Sequence, residues 1–350
     1  MTGVETGVAR GPDDAAVICG VGYWLPPQVV TNADLCERLD TTEEWIFRRT
    51  GISARRVADP GTTTSDLATR AGARALASAP GRQVQAVVLA TTTPDRRCPA
   101  TAPEVASRLG LTGVAAFDVS AVCTGFLYAL ATATGLIAAG HAEAVLVIAA
   151  ERFTTLLNPR DRTTVPIFGD GAGAVVVRRG DSAEPGRVGR VFLGSDGGQR
   201  DLINVQDGYF QMQGRAVFRQ AVERMAEAAR LAARAADWRT EDVDKLVVHQ
   251  ANARVSAAVA SELGVPENRH TQNIREVGNT AAASIPILLG QSAENGTLLP
   301  GDRVLVTAFG GGLTWGATTV VWPELKTTAQ MRRRDVRVAQ IDPGGGAPVE

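Results

Sequence analysis

The sequence predicts an α/β fold in which one mixed unit occurs twice. Short β-branched runs alternate with long helical stretches, 45% of the 350 residues are hydrophobic, and segments of the first half recur in the same order in the second. Alternating strand-like and helical segments make parallel βαβ units, with helices covering both faces of a sheet. A chain of this size buries a large core, as one domain or as two closely packed halves.

Taken in order, Ala86-Val87-Val88-Leu89-Ala90 reads as a buried strand and Val105-Ala106-Ser107-Arg108-Leu109-Gly110-Leu111 as the helix that follows. They return as Leu246-Val247-Val248-His249 and Val259-Ala260-Ser261-Glu262-Leu263-Gly264-Val265. Ala144-Val145-Leu146-Val147 returns as Arg303-Val304-Leu305-Val306, and Gly173-Ala174-Val175-Val176-Val177 as Gly316-Ala317-Thr318-Thr319-Val320. Three echoes in one order mark an internal duplication. Each copy reads strand, helix, turn, helix, strand, glycine turn, strand. Phe218, Val222, Met225, Ala229 and Ala232 recur at helical spacing, which predicts an amphipathic helix over Arg215 to Ala236 with its Met and Phe in the core. The join falls between Arg178 and Gly198, dividing the chain into 15–185 and 186–326. Met1 to Asp14 is polar and Gly-rich and reads as a flexible extension. The segment 327–350 carries Arg332-Arg333-Arg334 and a Pro/Gly finish, which predicts a disordered, solvated tail rather than a nucleic-acid arm.

A net charge of −1 offers no bulk attraction to nucleic acid or membrane, so any anionic partner has to meet a local patch. Nearly all the basic charge is arginine; the lysines are Lys245 and Lys326. Cys19, Cys36, Cys98 and Cys123 have neither metal-site spacing nor the density of a disulfide framework, so no structural metal is expected. The N-terminus lacks the apolar core of a signal peptide, and 136–150 is interrupted by His141 and Glu143. A soluble cytoplasmic protein is expected.

Three segments carry the chemistry. In Ala121-Val122-Cys123-Thr124-Gly125-Phe126, a thiol follows the strand-like Phe117-Asp118-Val119 and precedes an apolar helical stretch. A cysteine at a helix N-terminus meets unpaired N–H groups and the helix dipole, which favour thiolate and mark Cys123 as a candidate nucleophile. In Val248-His249-Gln250-Ala251-Asn252, the histidine ends an apolar strand, where a side chain points at a site beyond the strand's C-terminal end. Val277-Gly278-Asn279-Thr280 places an amide at the corresponding turn of the same half. Gly169-Asp170-Gly171-Ala172-Gly173 is not a dinucleotide loop: Val175-Val176-Val177 follows where a phosphate-binding helix would begin.

Together with Ile18-Cys19-Gly20-Val21-Gly22, Thr41-Thr42-Glu43-Glu44-Trp45, Arg49-Thr50-Gly51-Ile52 and Phe168-Gly169-Asp170-Gly171-Ala172-Gly173, these segments resemble 3-ketoacyl-ACP synthase III. That family comprises the initiating condensing enzymes of fatty-acid and some polyketide pathways. The resemblance runs to about Trp322. It implies the thiolase fold, two βαβαβαββ halves about a pseudo-twofold axis in α/β/α/β/α layers. It also implies a homodimer without a bound cofactor that uses acyl-CoA and an acyl carrier protein.

By the same resemblance Cys123 takes the acyl group, and the N–H groups of Cys123 and Gly311 form the oxyanion hole. His249 and Asn279 donate to the thioester oxygen of a malonyl group as CO2 leaves, which requires a neutral imidazole. Trp45 and Arg162 sandwich adenine, Thr41 and Arg49 grip the nucleotide, and Gly214, Phe218 and Asn252 line a pantetheine tunnel. Arg219 and Arg254 offer a basic rim to an acidic carrier protein, although Ser261 and Glu262 stand where relatives carry more basic residues. Phe168 and Cys98 belong to the acyl pocket, Cys98 through the opposite subunit. Cys98 replaces a bulky aromatic and so predicts a wider pocket, while the short segment 196–214 predicts a reduced entrance hairpin. Two other readings compete: acyl transfer without decarboxylation, which the amide of Asn279 weighs against, and a silent carrier-binding subunit, which the three filled catalytic positions weigh against.

Overall fold

The computed structural model describes residues 14–326. The expected tail and all of the expected extension except Asp14, which opens the first strand, lie outside the described residues. The first unit begins with β1 (Asp14–Trp24) and carries an insertion of β2 (Val29–Thr31), α1 (Asn32–Cys36), α2 (Glu43–Thr50) and β3 (Ala54–Arg56). It continues through α3 (Thr64–Ser78), β4 (Ala86–Ala90), α4 (Ala102–Arg108), β5 (Ala115–Val119), α5 (Gly125–Ala138), β6 (Ala144–Glu151) and β7 (Gly171–Asp181). The second unit opens with β8 (Phe192–Ser195), the hairpin β9 (Ile203–Gln206) and β10 (Tyr209–Met212), and α6 (Gly214–Ala235). There follow β11 (Lys245–Val248), α7 (Ala253–Leu263), β12 (His270–Thr271), α8 (Ile274–Val277), α9 (Ser284–Asn295), β13 (Arg303–Gly310) and β14 (Thr314–Val321).

The duplication is visible in the strand order. One sheet runs β1-β7-β6-β4-β5 and the other β8-β14-β13-β11-β12, so each strand of the first half has its counterpart in the same place. Pairings match as well: the inner pairs β4–β6 and β11–β13 are parallel, and β6–β7 and β13–β14 are antiparallel.

Helix placement follows polarity. α5 and α9 are apolar around most of their circumference, and they lie between the sheets, where Phe126, Leu127, Leu130, Ile285, Ile287 and Leu288 build the central core. α3 and α4 cover the outer face of the first sheet, while α6 and α7, each with one apolar stripe, cover the second. Five α/β/α/β/α layers result. Gly173 permits this packing, since a Cβ there would stand 2.6 Å from the backbone of α9.

Candidate active site

Parallel strands that end on one side place their following turns together, and the three chemical segments occupy such turns. Cys123 follows β5, His249 follows β11, and Asn279 follows β12 and α8. Two of these turns are the same device repeated. A one-turn 3-10 segment, Val122–Thr124 ahead of α5 and Ala281–Ala283 ahead of α9, opens with a residue at positive φ, +46° for Val122 and +45° for Ala281. A β-branched residue there is a strained outlier, of the kind retained where function fixes the backbone.

Cys123, His249 and Asn279 all line one cavity of about 720 Å³. Asn279 is held by its backbone on both sides: its N–H donates to Ile167 at 2.9 Å, and its carbonyl accepts from Gly169 at 3.0 Å. Its side-chain Oδ1 accepts from the Ala281 N–H at 2.8 Å, which commits the oxygen and leaves Nδ2 to face the cavity. His249 Nδ1 lies 2.6 Å from Ser284 Oγ, and that oxygen also receives the Gln250 N–H at 3.4 Å. With the Ser284 hydroxyl donating to Nδ1, the ring proton is assigned to Nε2. Burial lowers the imidazole pKa to about 3, so the ring is neutral and has one N–H to donate.

The thiol departs from expectation. Cys123 stands at a helix start, but burial first and the Glu151 carboxylate second raise its pKa, outweighing its backbone N–H. The resting group is therefore a neutral thiol and not the thiolate expected from helix position. The cause is depth: Cys123 is only 9% exposed.

The Cys123 N–H faces β13. A Cβ built on Gly310 would stand 2.9 Å from that nitrogen and 3.1 Å from the Thr124 nitrogen, so a side chain at 310 would fill the space in front of these donors. Gly310 lines the cavity; Gly311, the expected second donor, comes one residue after the lining. The Thr314 hydroxyl lies 3.3 Å from the Ala121 carbonyl and 3.1 Å from the Gly311 carbonyl, within reach of both the nucleophile turn and the glycine loop.

The cavity mouth gathers most of the expected nucleotide and tunnel residues. Arg49 and Arg162 both approach the Trp45 ring, with guanidinium carbons 5.1 and 5.7 Å from its centroid. Arg162 also donates to the Asp40 carbonyl at 2.9 Å. Gly214, Phe218, Asn252 and Arg254 line the same wall, joined by Arg215 and Met212, which the sequence reading missed. Asn252 caps α7 through the Arg254 N–H and donates to the Arg49 carbonyl, tying α7 to α2. Phe168 stacks on Phe153 at 4.3 Å, with Phe210 edge-on to both at 5.0 Å, so an aromatic cluster forms part of the inner wall. Met225, expected in the core, is buried and also reaches the cavity.

Four expected residues stand outside the cavity lining. Thr41 has a buried hydroxyl without a hydrogen-bond partner among the described residues, and its neighbour Thr42 caps α2 through the Trp45 N–H at 3.1 Å. Arg219 is exposed on α6. Cys98 is exposed between β4 and α4 and lies outside the cavity of its own chain. Gly311 is the fourth. Glu262 accepts from Arg230 at 2.8 Å, so its charge at the expected rim is partly occupied. The segment 196–214 does form a hairpin. β9 and β10 pair through all four residues, because Asp207 and Gly208, at φ +52° and +82°, close them in a tight two-residue turn.

Glu151 had no signal in the sequence beyond an acid at the end of an apolar run. It ends β6 fully buried, accepting the Thr92 N–H at 3.0 Å and the Thr93 hydroxyl at 2.9 Å, and it also receives the Ala282 N–H. Burial pushes its carboxyl up to about 7 against the pull of these donors. A carboxyl raised on folding from 4.5 contributes stability that is fully present below that value and is lost as pH rises through about 7. Wild-type stability should therefore fall between about pH 5 and pH 8 by up to about 3 kcal/mol from this group. Glu151→Gln should remove that slope in urea titrations, and an unchanged slope would dismiss Glu151 as its source.

Comparison with known proteins decides the family. Residues 117–197 match the model of 3-oxoacyl-[acyl-carrier-protein (ACP)] synthase III, and 233–322 match the model of its C-terminal part. Beta-ketoacyl-[acyl-carrier-protein] synthase III 3 of Streptomyces coelicolor is 56% identical over 327 residues, covering 88% of this chain and 98% of the relative. The chain belongs to the 3-oxoacyl-ACP synthase III family. It is a condensing enzyme of the type that serves fatty-acid or polyketide biosynthesis. Solved relatives agree with its thiolase fold. The synthase III of Pseudomonas aeruginosa PAO1 superposes with a TM-score of 0.86 at 48% identity, covering 89% of this chain and 99% of that one. A priming β-ketosynthase from a polyketide pathway gives 0.85 at 33% identity, with 91% and 99% covered. Among the described residues no helix is long and apolar enough to cross a membrane.

Proposed function

We propose that this synthase acylates Cys123 from acyl-CoA and condenses the acyl group with malonyl-ACP, with loss of CO2, to give 3-ketoacyl-ACP. The observation that carries the reading is the orientation of Asn279: its Oδ1 is occupied by the Ala281 N–H, so the cavity meets an amide donor rather than a base.

In the first half-reaction the Cys123 sulfur attacks the thioester carbonyl. The carbonyl oxygen gathers charge at the Cys123 N–H and that of Gly311, the C–S bond to CoA breaks, and the thiol proton departs with the released CoA thiol. In the second, the malonyl C–C bond breaks and its electron pair forms an enolate whose oxygen accepts from His249 Nε2–H and Asn279 Nδ2–H. The enolate carbon attacks the acyl carbonyl, and the Cys123 sulfur leaves and recovers a proton. The neutral imidazole supports this role, since an imidazolium would move a proton rather than only share one.

Trp45, Arg49 and Arg162 are assigned to the nucleotide, and Gly214, Phe218 and Asn252 to the pantetheine arm. Arg254, at the mouth, and Arg219, on the exposed face of α6, are assigned to the acidic carrier protein. The same reading makes the enzyme a cytoplasmic homodimer that needs no bound cofactor. β5 supports the dimer: it is an edge strand with Phe117 and Val119 half-buried, ready to pair with a second copy. Cys98, exposed in the loop ahead of α4, is assigned to the acyl pocket of that second copy.

Intact-mass measurement after mixing the enzyme with acetyl-, butyryl-, octanoyl- and branched acyl-CoAs tests the proposal. A covalent acyl gain is expected, extending beyond acetyl because Cys98 leaves room that a ring would fill. No gain with any acyl-CoA would refute the first half-reaction.

A further inference from the structure

Arg55 is 1% exposed in β3, behind the catalytic turns, and it does not touch the cavity. Its Nη1 donates to the Val30 carbonyl at 2.9 Å, and its Nη2 donates to Asn32 Oδ1 at 2.7 Å and to the Pro166 carbonyl at 2.8 Å. None of these acceptors is a carboxylate. A guanidinium this deep suffers a large desolvation cost, and burial lowers its pKa to about 10. Asp34 offsets part of that cost through its charge without a direct ion pair among the described residues, and the value of the group lies in what its donors hold in place.

They hold the segment that fixes Asn279. The Pro166 carbonyl is anchored to Arg55, the next carbonyl, Ile167, receives the Asn279 N–H, and the Gly169 N–H returns to the Asn279 carbonyl. Phe168 and Asn279 thus form an isolated parallel bridge, two strand-like residues outside both large sheets. The stem of Arg55 supports the other side of the same turn. A Cβ on Gly278 would stand 2.9 Å from Arg55 Cβ, and one on Gly169 would stand 3.3 Å away, so the glycines flanking the bridge close directly onto this side chain. Gly278 also has φ +75°, which sets the direction in which the chain enters Asn279.

We propose that Arg55 is a positioning residue for the second half-reaction, holding the Asn279 amide in place through the Pro166 carbonyl and the 167–169 bridge. The inference rests on the enolate role assigned to Asn279. It reaches Cys123 by no comparable route: that turn is braced by the Thr124 N–H on the Ala121 carbonyl and by Thr314. Loss of the guanidinium should therefore displace the amide and spare the thiol.

The experiment measures both half-reactions in Arg55→Met, Asn279→Ala and the double variant, with thermal melting to confirm the fold. Arg55→Met should acylate Cys123 within about 3-fold of wild type while losing condensation by about 10- to 100-fold, the scale of a small misplacement at a reacting centre. In the Asn279→Ala background the same change should cost less than about 3-fold, because residues acting through one group are not additive. Arg55→Lys keeps the charge and reaches fewer carbonyls, so it should fall between. If Arg55→Met does not fold, Arg55→Lys decides; if neither folds, Arg55 serves stability and the proposal is overturned. Equal loss of acylation and condensation, or the same loss in both backgrounds, also overturns it. Full condensation by Asn279→Ala alone would instead remove the role of Asn279.

Discussion

Cys123→Ala is expected to show no acyl mass adduct with any acyl-CoA and to lose condensation by on the order of 10⁴–10⁶, as when a covalent nucleophile is removed. Cys19→Ala, Cys36→Ala and Cys98→Ala should each keep the adduct. The contrast is informative because exposure ranks the four thiols in the opposite order. Cys98 is exposed, Cys19 and Cys36 are intermediate, and Cys123 is buried, so indiscriminate acylation would mark Cys98 first. Only Cys123 lines the cavity, with donors of its own turn and the bare Gly310 beside it. Its raised pKa means that selectivity comes from binding the thioester against these donors and not from a standing thiolate. An adduct surviving in Cys123→Ala would transfer the nucleophile role elsewhere.

The candidate centre was legible in sequence because Cys123 and His249 follow strand-like runs and Asn279 follows a glycine turn, each a chemically conspicuous residue where the chain changes direction. The duplication was legible for a related reason: buried strands tolerate few residue types, so the two copies stayed alike. What supports the centre was not legible. Ser284 is 35 residues from the His249 ring it orients, and Glu151 closes a strand whose remaining residues are apolar. Arg55 looks like any surface arginine until the fold buries it.

Thr41, expected at the nucleotide, stands outside the cavity lining, next to Thr42, which takes the cap position of α2. Gly310, the last residue of β13, lines the cavity, and the expected Gly311 N–H belongs to the peptide bond that joins the two glycines. The protonation of Cys123 eluded the sequence for another reason. A helix N-terminus can be read from local pattern, but the depth that outweighs it depends on β13, β14 and the 281–283 turn closing around it.

Asn279→Asp should acylate Cys123 and yet fail to condense. The substitution nearly preserves shape: one carboxylate oxygen can still accept the Ala281 N–H, and the backbone bridge to Ile167 and Gly169 involves no side-chain atom. What changes is the atom left facing the cavity, an N–H donor replaced by an oxygen that only accepts and carries charge. An enolate oxygen forming there would lose one of its two donors and meet a like charge. Condensation should fall by about 10²–10³, the usual scale for a missing oxyanion donor, and at least as far as in Asn279→Ala, which removes the donor without adding charge. The new carboxylate should not restore activity by acting as a base, because release of CO2 requires stabilisation of negative charge and no proton abstraction. Measuring CO2 release from malonyl-ACP by the pre-acylated variant separates the two chemistries directly. Strong release by Asn279→Asp would contradict the enolate role, whereas silence in that assay with a normal acyl adduct places Asn279 in the second half-reaction and outside the first.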